Sequence, residues 1–373
     1  MQPRNPVSAS GWTTGSSDLG PFSPEERERL RRVAERLSAY PFEFWHYGDS
    51  IGLEGLVAAS DALGDGAFLG WVYGALKSWS ARRRPFAELD NTAAGHAMCT
   101  VVERTSDEAI LEAASELADF LRSRPRLEGA YVSFSEAPLR KPHGGEELDA
   151  EAQSLLREPG PGVFIDCLHF DPPFFAHLGS LRSDGDLIDE AASQALTYVR
   201  LLQDDSGLFW HFWLERTRQR YGYAWSRGQG WALLGLLDLL RYLPDDHSAR
   251  KELTAAVRAL AAALLERQDE EGGWTAVAGD LNSGVESSTS AFVAAGFAEA
   301  VQAGVLGSEY ESSARRAWAN AWSQVDEDGM LANVSAAVWA STAQSHYVHV
   351  PRGFLVPWGQ GPLLVAALRI GRL

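Results

Sequence analysis

Apolar residues recur along this chain at helical spacing almost from end to end, and strict two-residue alternation is scarce. Ser23-Pro24-Glu25-Glu26 reads as a capping box with proline at the first helical position, and Arg27 to Tyr40 follows in amphipathic order. Ser308-Glu309-Tyr310-Glu311 reads as a second box, opening a helix through the Arg315–Trp322 region. Between and beyond them the pattern predicts helices near 50–62, 66–79, 91–102, 107–123, 146–157, 168–179, 187–203, 229–242, 248–267, 288–303 and 359–369. No large sheet is expected.

A turn recurs at helix ends. Gln203-Asp-Asp-Ser-Gly207, Gln268-Asp-Glu-Glu-Gly272 and Asp326-Glu-Asp-Gly329 each stop a helix with acidic residues and glycine, then give a few extended residues. The glycines are spaced 65 and 57 residues apart, the length of two helices and their loops. A chain of this length holds roughly six such pairs. Six helical hairpins closed in a ring make an all-α (α/α)6 barrel, with the polar turns crowding one mouth. Residues 1–22, rich in Ser, Gly and Pro, read as a loose tail. Residues 23–373 show no linker with a composition shift, so they read as a single domain.

The 373 residues carry a formal charge of −17. Such a field repels nucleic acid and anionic membrane, so neither is an expected partner. An anionic ligand would need its own local cations. Two cysteines, Cys99 and Cys167, exclude a disulfide framework and a Cys-based zinc site. No apolar run is long enough to cross a membrane and no apolar leader is visible, so a cytoplasmic protein is expected. Phosphate loops, the G-x-S-x-G elbow and H-E-x-x-H are missing. His346 and His349, with Tyr347 between, are too isolated to argue a metal, and no cofactor is expected.

The most informative segment is Trp225-Ser-Arg227-Gly-Gln-Gly-Trp231, which opens an apolar helix. Indoles make flat apolar platforms, and a guanidinium clamps planar anions with a rigid donor fork. That chemistry suits a sugar bearing a carboxylate. It equally suits a packing junction in which Arg227 neutralises helix-end carbonyls. Asp166, in Val163-Phe-Ile-Asp166-Cys-Leu168, sits among hydrophobic neighbours, where burial would keep a carboxyl protonated. Its other reading is an N-cap, as is that of Asp90 in Glu88-Leu-Asp90-Asn-Thr. His211 follows a repeat turn, and Trp45 and Tyr47 belong to an aromatic cluster ahead of a helix. Each is a site candidate against a core-packing alternative.

Taken together, Trp45-His-Tyr47, Leu89-Asp90-Asn-Thr-Ala-Ala-Gly95, Val163-Phe-Ile-Asp166-Cys-Leu, Gly207-Leu-Phe-Trp-His211, Trp225–Trp231, Glu286-Ser-Ser-Thr-Ser-Ala-Phe292 and Trp358-Gly-Gln-Gly361 are specific in order and spacing. In them the chain resembles the unsaturated glucuronyl and rhamnogalacturonyl hydrolases of glycoside hydrolase families 88 and 105, closer to 105. The resemblance implies an (α/α)6 barrel. It also implies a short oligosaccharide substrate, left by a polysaccharide lyase, whose non-reducing end is a 4,5-unsaturated uronic acid. Asp166 would be the general acid and then the base that activates water, with Asp90 beside it. His211 and Arg227 would bind hydroxyls and the carboxylate, and Trp45, Trp225, Trp231 and Tyr47 would wall the ring. A monomer or homodimer is expected. His169 departs from the aromatic or apolar residue that related sequences often carry there. The short Arg157–Gly162 segment and the compact stretch from His211 to Trp225 also depart, which bears on substrate size.

Three other functions fit parts of the chain. An inverting glycosidase acting on a saturated uronide would use two more widely spaced carboxylates. A non-catalytic glycan-binding toroid would need no acid. Gln268-Asp-Glu-Glu-Gly-Gly-Trp274 fits the Q-x-x-x-G-x-W pattern of triterpene cyclases, but the D-x-D-D acid of those enzymes is missing, and the segment reads as a helix-end turn.

Overall fold

A computed structural model describes residues 22–43, 48–82, 86, 94–132, 139 and 141–373. Among these, thirteen α-helices form two concentric layers. The inner helices are α2 (Asp49–Leu63), α4 (Gly95–Thr105), α7 (Cys167–Arg182), α9 (Ser226–Tyr242), α11 (Ser287–Gln302) and α13 (Pro357–Ile370). Each packs on the next in that order, and α13 returns against α2 to close the ring. Outside them lie α1 (Pro24–Ser38), α3 (Gly66–Arg82), α5 (Glu108–Arg122), α8 (Gly185–Leu202), α10 (Arg250–Leu265) and α12 (Glu309–Ser323), while the short α6 (Ala150–Arg157) interrupts one connection. This is the six-hairpin barrel expected from the repeat.

Side-chain pattern sorts the layers. Helix α5 buries Ile110, Ala113, Ala114, Leu117, Ala118 and Leu121, a single stripe at helical spacing. Helix α9 is buried without a break from Ser226 to Leu240, and α11 from Ser287 to Ala298. A helix apolar on every side has no face to offer water and goes inside. The seam that closes the ring depends on glycines: a Cβ on Gly55 of α2 would stand 2.6 Å from Cα of Gly361 of α13.

The three turns share one hydrogen-bond pattern. Asp204 N donates to Leu208 O, Asp269 N to Gly273 O and Asp326 N to Met330 O, at 3.1, 3.0 and 2.9 Å. Gly207, Gly272 and Gly329 hold φ of 84, 87 and 82°, a region closed to most side chains. Gln203 and Gln268 each donate from Nε2 to the turn's glycine carbonyl and to a carbonyl of the next outer helix, Ala256 or Ser313. The Q-x-x-x-G-x-W match is therefore a structural turn.

Two expectations change. Ser23 does form its capping box, but Ser308 makes no side-chain cap bond. Its φ and ψ of −62 and −14° are already helical, which turns its hydroxyl away from the free amides. Helix α9 begins at Ser226, one turn earlier than the apolar pattern suggests. The predicted 91–102 helix is observed from Gly95, residues 91–93 being outside the described set. A small antiparallel sheet joins β3 (Gly162–Phe164), β4 (Trp210–Leu214) and β5 (Gln219–Tyr223), and a two-stranded ribbon pairs β1 (Arg126–Leu127) with β2 (Ala130–Tyr131).

Candidate active site

The small sheet sets the geometry at one end of the barrel. Strand β3 pairs with β4 so that Phe164 stands opposite Phe212, and the Ile165 amide donates to the His211 carbonyl at 2.9 Å. The chain then turns from β3 into α7, with Asp166 at the corner. Asp166 occupies the N-cap position, but its φ and ψ of −57 and −37° are helical and its carboxylate caps no amide. The N-cap reading of Asp166 is thereby excluded. Its neighbours Val163, Phe164, Ile165, Cys167 and Leu168 are buried as expected, while the Asp166 side chain keeps 15% exposure. The carboxylate is thus reachable from solvent and pairs with no arginine or lysine among the described residues.

Oδ2 of Asp166 lies 3.5 Å from Nε2 of His211. That separation is longer than a good hydrogen bond but closes with a small shift. Nδ1 of His211 is 2.7 Å from the Tyr347 hydroxyl. The imidazole also packs on Trp225, ring centroids 4.4 Å apart, and meets Phe164 edge-on. Burial, with a smaller contribution from the Asp166 charge, pushes the Tyr347 phenol well up, so it stays protonated at neutral pH. Tyr347 arrives from a loop far along the chain, and nothing in its local pattern marks it.

Arg227, in the first turn of α9, is fully buried. Nη1 donates to the Ser335 carbonyl at 3.1 Å and to its hydroxyl at 2.5 Å, and Nη2 donates to the Ala336 carbonyl at 2.9 Å. The guanidinium lies against the rings of Trp225 and Trp358 and stands 3.7 Å from Glu286. Glu286 in turn accepts from Ser288 and from the Ser335 amide, joining α11 to the loop after α12. The contacts of Arg227 are those of a packing junction, with both Nη groups occupied by Ser335 and Ala336.

Trp225 is buried beside His211, and Trp231 is fully buried about one and a half turns further along. The Trp231 ring packs on Phe292, Phe170 and His169. The structure therefore brings together Asp166, His211, Trp225 and, behind them, Arg227, and sets Trp231 further along α9. Asp90, Trp45 and Tyr47 lie outside the described residues. Among the described residues no helix is long and apolar enough to cross a membrane.

A helical six-hairpin barrel with a part-buried carboxylate and an imidazole at its mouth is the architecture of the six-hairpin glycoside hydrolases. The family model of Glycosyl Hydrolase Family 88 matches residues 27–373, and the chain belongs to that family and is a glycoside hydrolase. It is 24% identical over 346 residues to the unsaturated rhamnogalacturonyl hydrolase YesR of Bacillus subtilis, covering 90% of this chain and 93% of that protein. The crystal structure of a possible GH105 family member from Klebsiella pneumoniae superposes with a TM-score of 0.78 at 22% identity, covering 97% of this chain and 98% of the other. The unsaturated glucuronyl hydrolase of Bacillus sp. GL1 gives a TM-score of 0.64 at 19% identity, covering 92% and 94%. At these identities the structural matches speak for the fold alone.

Proposed function

We propose that the protein removes a 4,5-unsaturated uronic acid from the non-reducing end of lyase-generated oligosaccharides, with Asp166 as general acid and then general base. The observation that carries this reading is the Asp166 carboxylate, uncapped and unpaired with any arginine or lysine among the described residues, 3.5 Å from His211 at the mouth of the barrel. The family membership and the named activity of the similar Bacillus subtilis protein support the substrate class.

In this mechanism the Asp166 carboxyl delivers its proton to C4 of the vinyl ether. Positive charge develops at C5 and the ring oxygen. Water adds its oxygen to C5 and gives a proton back to the Asp166 carboxylate, leaving a hemiketal at C5. The ring then opens to a C5 ketone, and the hemiacetal left at C1 releases the shortened sugar. One water is consumed and the acid is regenerated. His211, donating from Nε2, holds a sugar hydroxyl or the catalytic carboxylate, and the Tyr347 hydroxyl donating to Nδ1 fixes that tautomer. Trp225 supplies an apolar platform, and Arg227 acts as a positioning residue that holds Trp225 and the Ser335–Ala336 backbone. Asp90 is the second carboxylate of this proposal and would hold sugar hydroxyls.

Loss of the far-ultraviolet absorbance of the conjugated alkene follows the reaction directly. Purified protein is mixed with lyase digests of pectin, hyaluronan and ulvan. Decay of the signal in one digest, abolished by Asp166→Asn, is the expected result. No decay in any digest, with cleavage of a saturated uronide instead, would overturn this reading and favour the inverting-glycosidase one.

A further inference from the structure

Near Trp231, four consecutive inner helices each contribute a polar side chain to one cluster: Glu54 from α2, His96 from α4, His169 from α7 and Asp238 from α9. One donor atom each from Glu54, His96 and Asp238 falls within 4.8 Å of the others. His96, His169 and Asp238 are buried and Glu54 nearly so. None of the four belongs to the mouth described above.

The hydrogen bonding of this cluster is incomplete. Glu54 Oε1 accepts from Ser50 at 2.7 Å, and Oε2 faces Nε2 of His169 at 3.5 Å. Both ring nitrogens of His169 and Nδ1 of His96 are buried without a hydrogen-bond partner. Asp238 Oδ1 accepts from Arg369 at 2.9 Å, and Arg369 is shared with Glu299. Glu54 has no arginine or lysine partner among the described residues. A Glu54 carboxylate with no arginine or lysine beside it among the described residues, and imidazoles with unused nitrogens, leave room for one more positive centre with open coordination sites.

We propose that Glu54, His96 and Asp238 bind a divalent first-row transition cation, with His169 as the fourth donor. Imidazole nitrogen with carboxylate oxygen is a donor set that suits zinc and its first-row neighbours better than calcium or magnesium. Zinc–ligand bonds run about 2.0–2.2 Å, so binding draws the donor atoms of Glu54, His96 and Asp238 inward from their present 4.8 Å spread. The bound ion ties α2, α4, α7 and α9 together on the barrel axis. Its role is structural: it lies near the fully buried Trp231 and touches no substrate.

The test uses the full chain, stripped with a chelator and then dialysed against Zn²⁺ alone or Co²⁺ alone. Elemental analysis after removal of free metal is expected to find about one equivalent. Thermal unfolding is expected to shift up by several degrees with Zn²⁺. Glu54→Gln and His96→Gln are expected to lose both effects, whereas His247→Gln, on the outer surface, keeps them. Wild-type protein that retains no stoichiometric metal overturns the proposal, as does full retention in both buried variants. If those variants fold poorly, the Co²⁺ spectrum of the wild type decides. Intense visible bands of a four-coordinate nitrogen–oxygen site support the proposal, and the weak bands of a six-coordinate hydrated ion overturn it. Every readout is independent of hydrolase activity.

Discussion

Tyr347 and His211, 136 positions apart in the chain, meet through a 2.7 Å hydrogen bond between the phenol oxygen and Nδ1. This contact leaves Nε2 facing Asp166 and immobilises the ring between Trp225 and the β3–β4 sheet. Tyr347→Phe keeps the packing and removes the hydroxyl. One such hydrogen bond is worth roughly 1–1.5 kcal/mol, so kcat should fall about tenfold with KM little changed. Equal loss in KM would mean the hydroxyl binds substrate.

Asp166 makes no cap and, among the described residues, no ion pair with arginine or lysine, so its carboxylate does little for the fold. Asp166→Asn should therefore melt within a degree or two of the wild type while losing a factor of about 10²–10⁴ or more in turnover. A large fall in melting temperature would make the residue structural after all.

Arg227 and Glu286 are both fully buried, and the guanidinium joins α9 to the Ser335–Ala336 backbone. Truncating one partner leaves the other charge uncompensated, a loss of about 3–5 kcal/mol. Arg227→Met should lower the urea midpoint sharply, while KM of the folded fraction changes by no more than about threefold. The reverse pattern, stability kept and KM raised tenfold or more, would restore the anion-clamp role.

Asp171 lies inside α7, and burial drives its carboxyl well above the ordinary range, only partly offset by Arg124. The folded state therefore holds a proton that the unfolded chain has lost above its ordinary pKa. Stability from this group is full at acid pH and drains as pH rises toward the folded value, by about 1.4 kcal/mol per unit. Asp171→Asn should match the wild type near pH 4 and exceed it at pH 8. Parallel stability–pH curves for the two proteins would refute this.

Gly361 faces α2 so closely that a Cβ would collide with the Ile51 carbonyl. Gly361→Ala should cost about 1–3 kcal/mol through overpacking of the seam that closes the ring, measured as a lower urea midpoint.

Much of the architecture was legible along the chain. Helical spacing of apolar residues, the glycine turns near 207, 272 and 329, and buried-all-round stretches such as Ser226–Leu240 are local signals. Short-range sterics and the hydrophobic effect act on them directly, so the six-hairpin ring follows from them. Asp166 could be singled out by its hydrophobic neighbours and His211 by the repeat turn before it. What the linear pattern left open was which way a side chain faces and whom it meets. Arg227 carries the same signature whether it clamps a ligand or braces the Ser335–Ala336 backbone, and its contacts to that backbone appear only in the folded chain. Tyr347, the Glu286 hub and the Glu54–His96–Asp238 cluster draw their members from distant segments, and no local periodicity records contacts made by ring closure. Burial decides these cases, because a polar group removed from water must find partners wherever the closed barrel brings them.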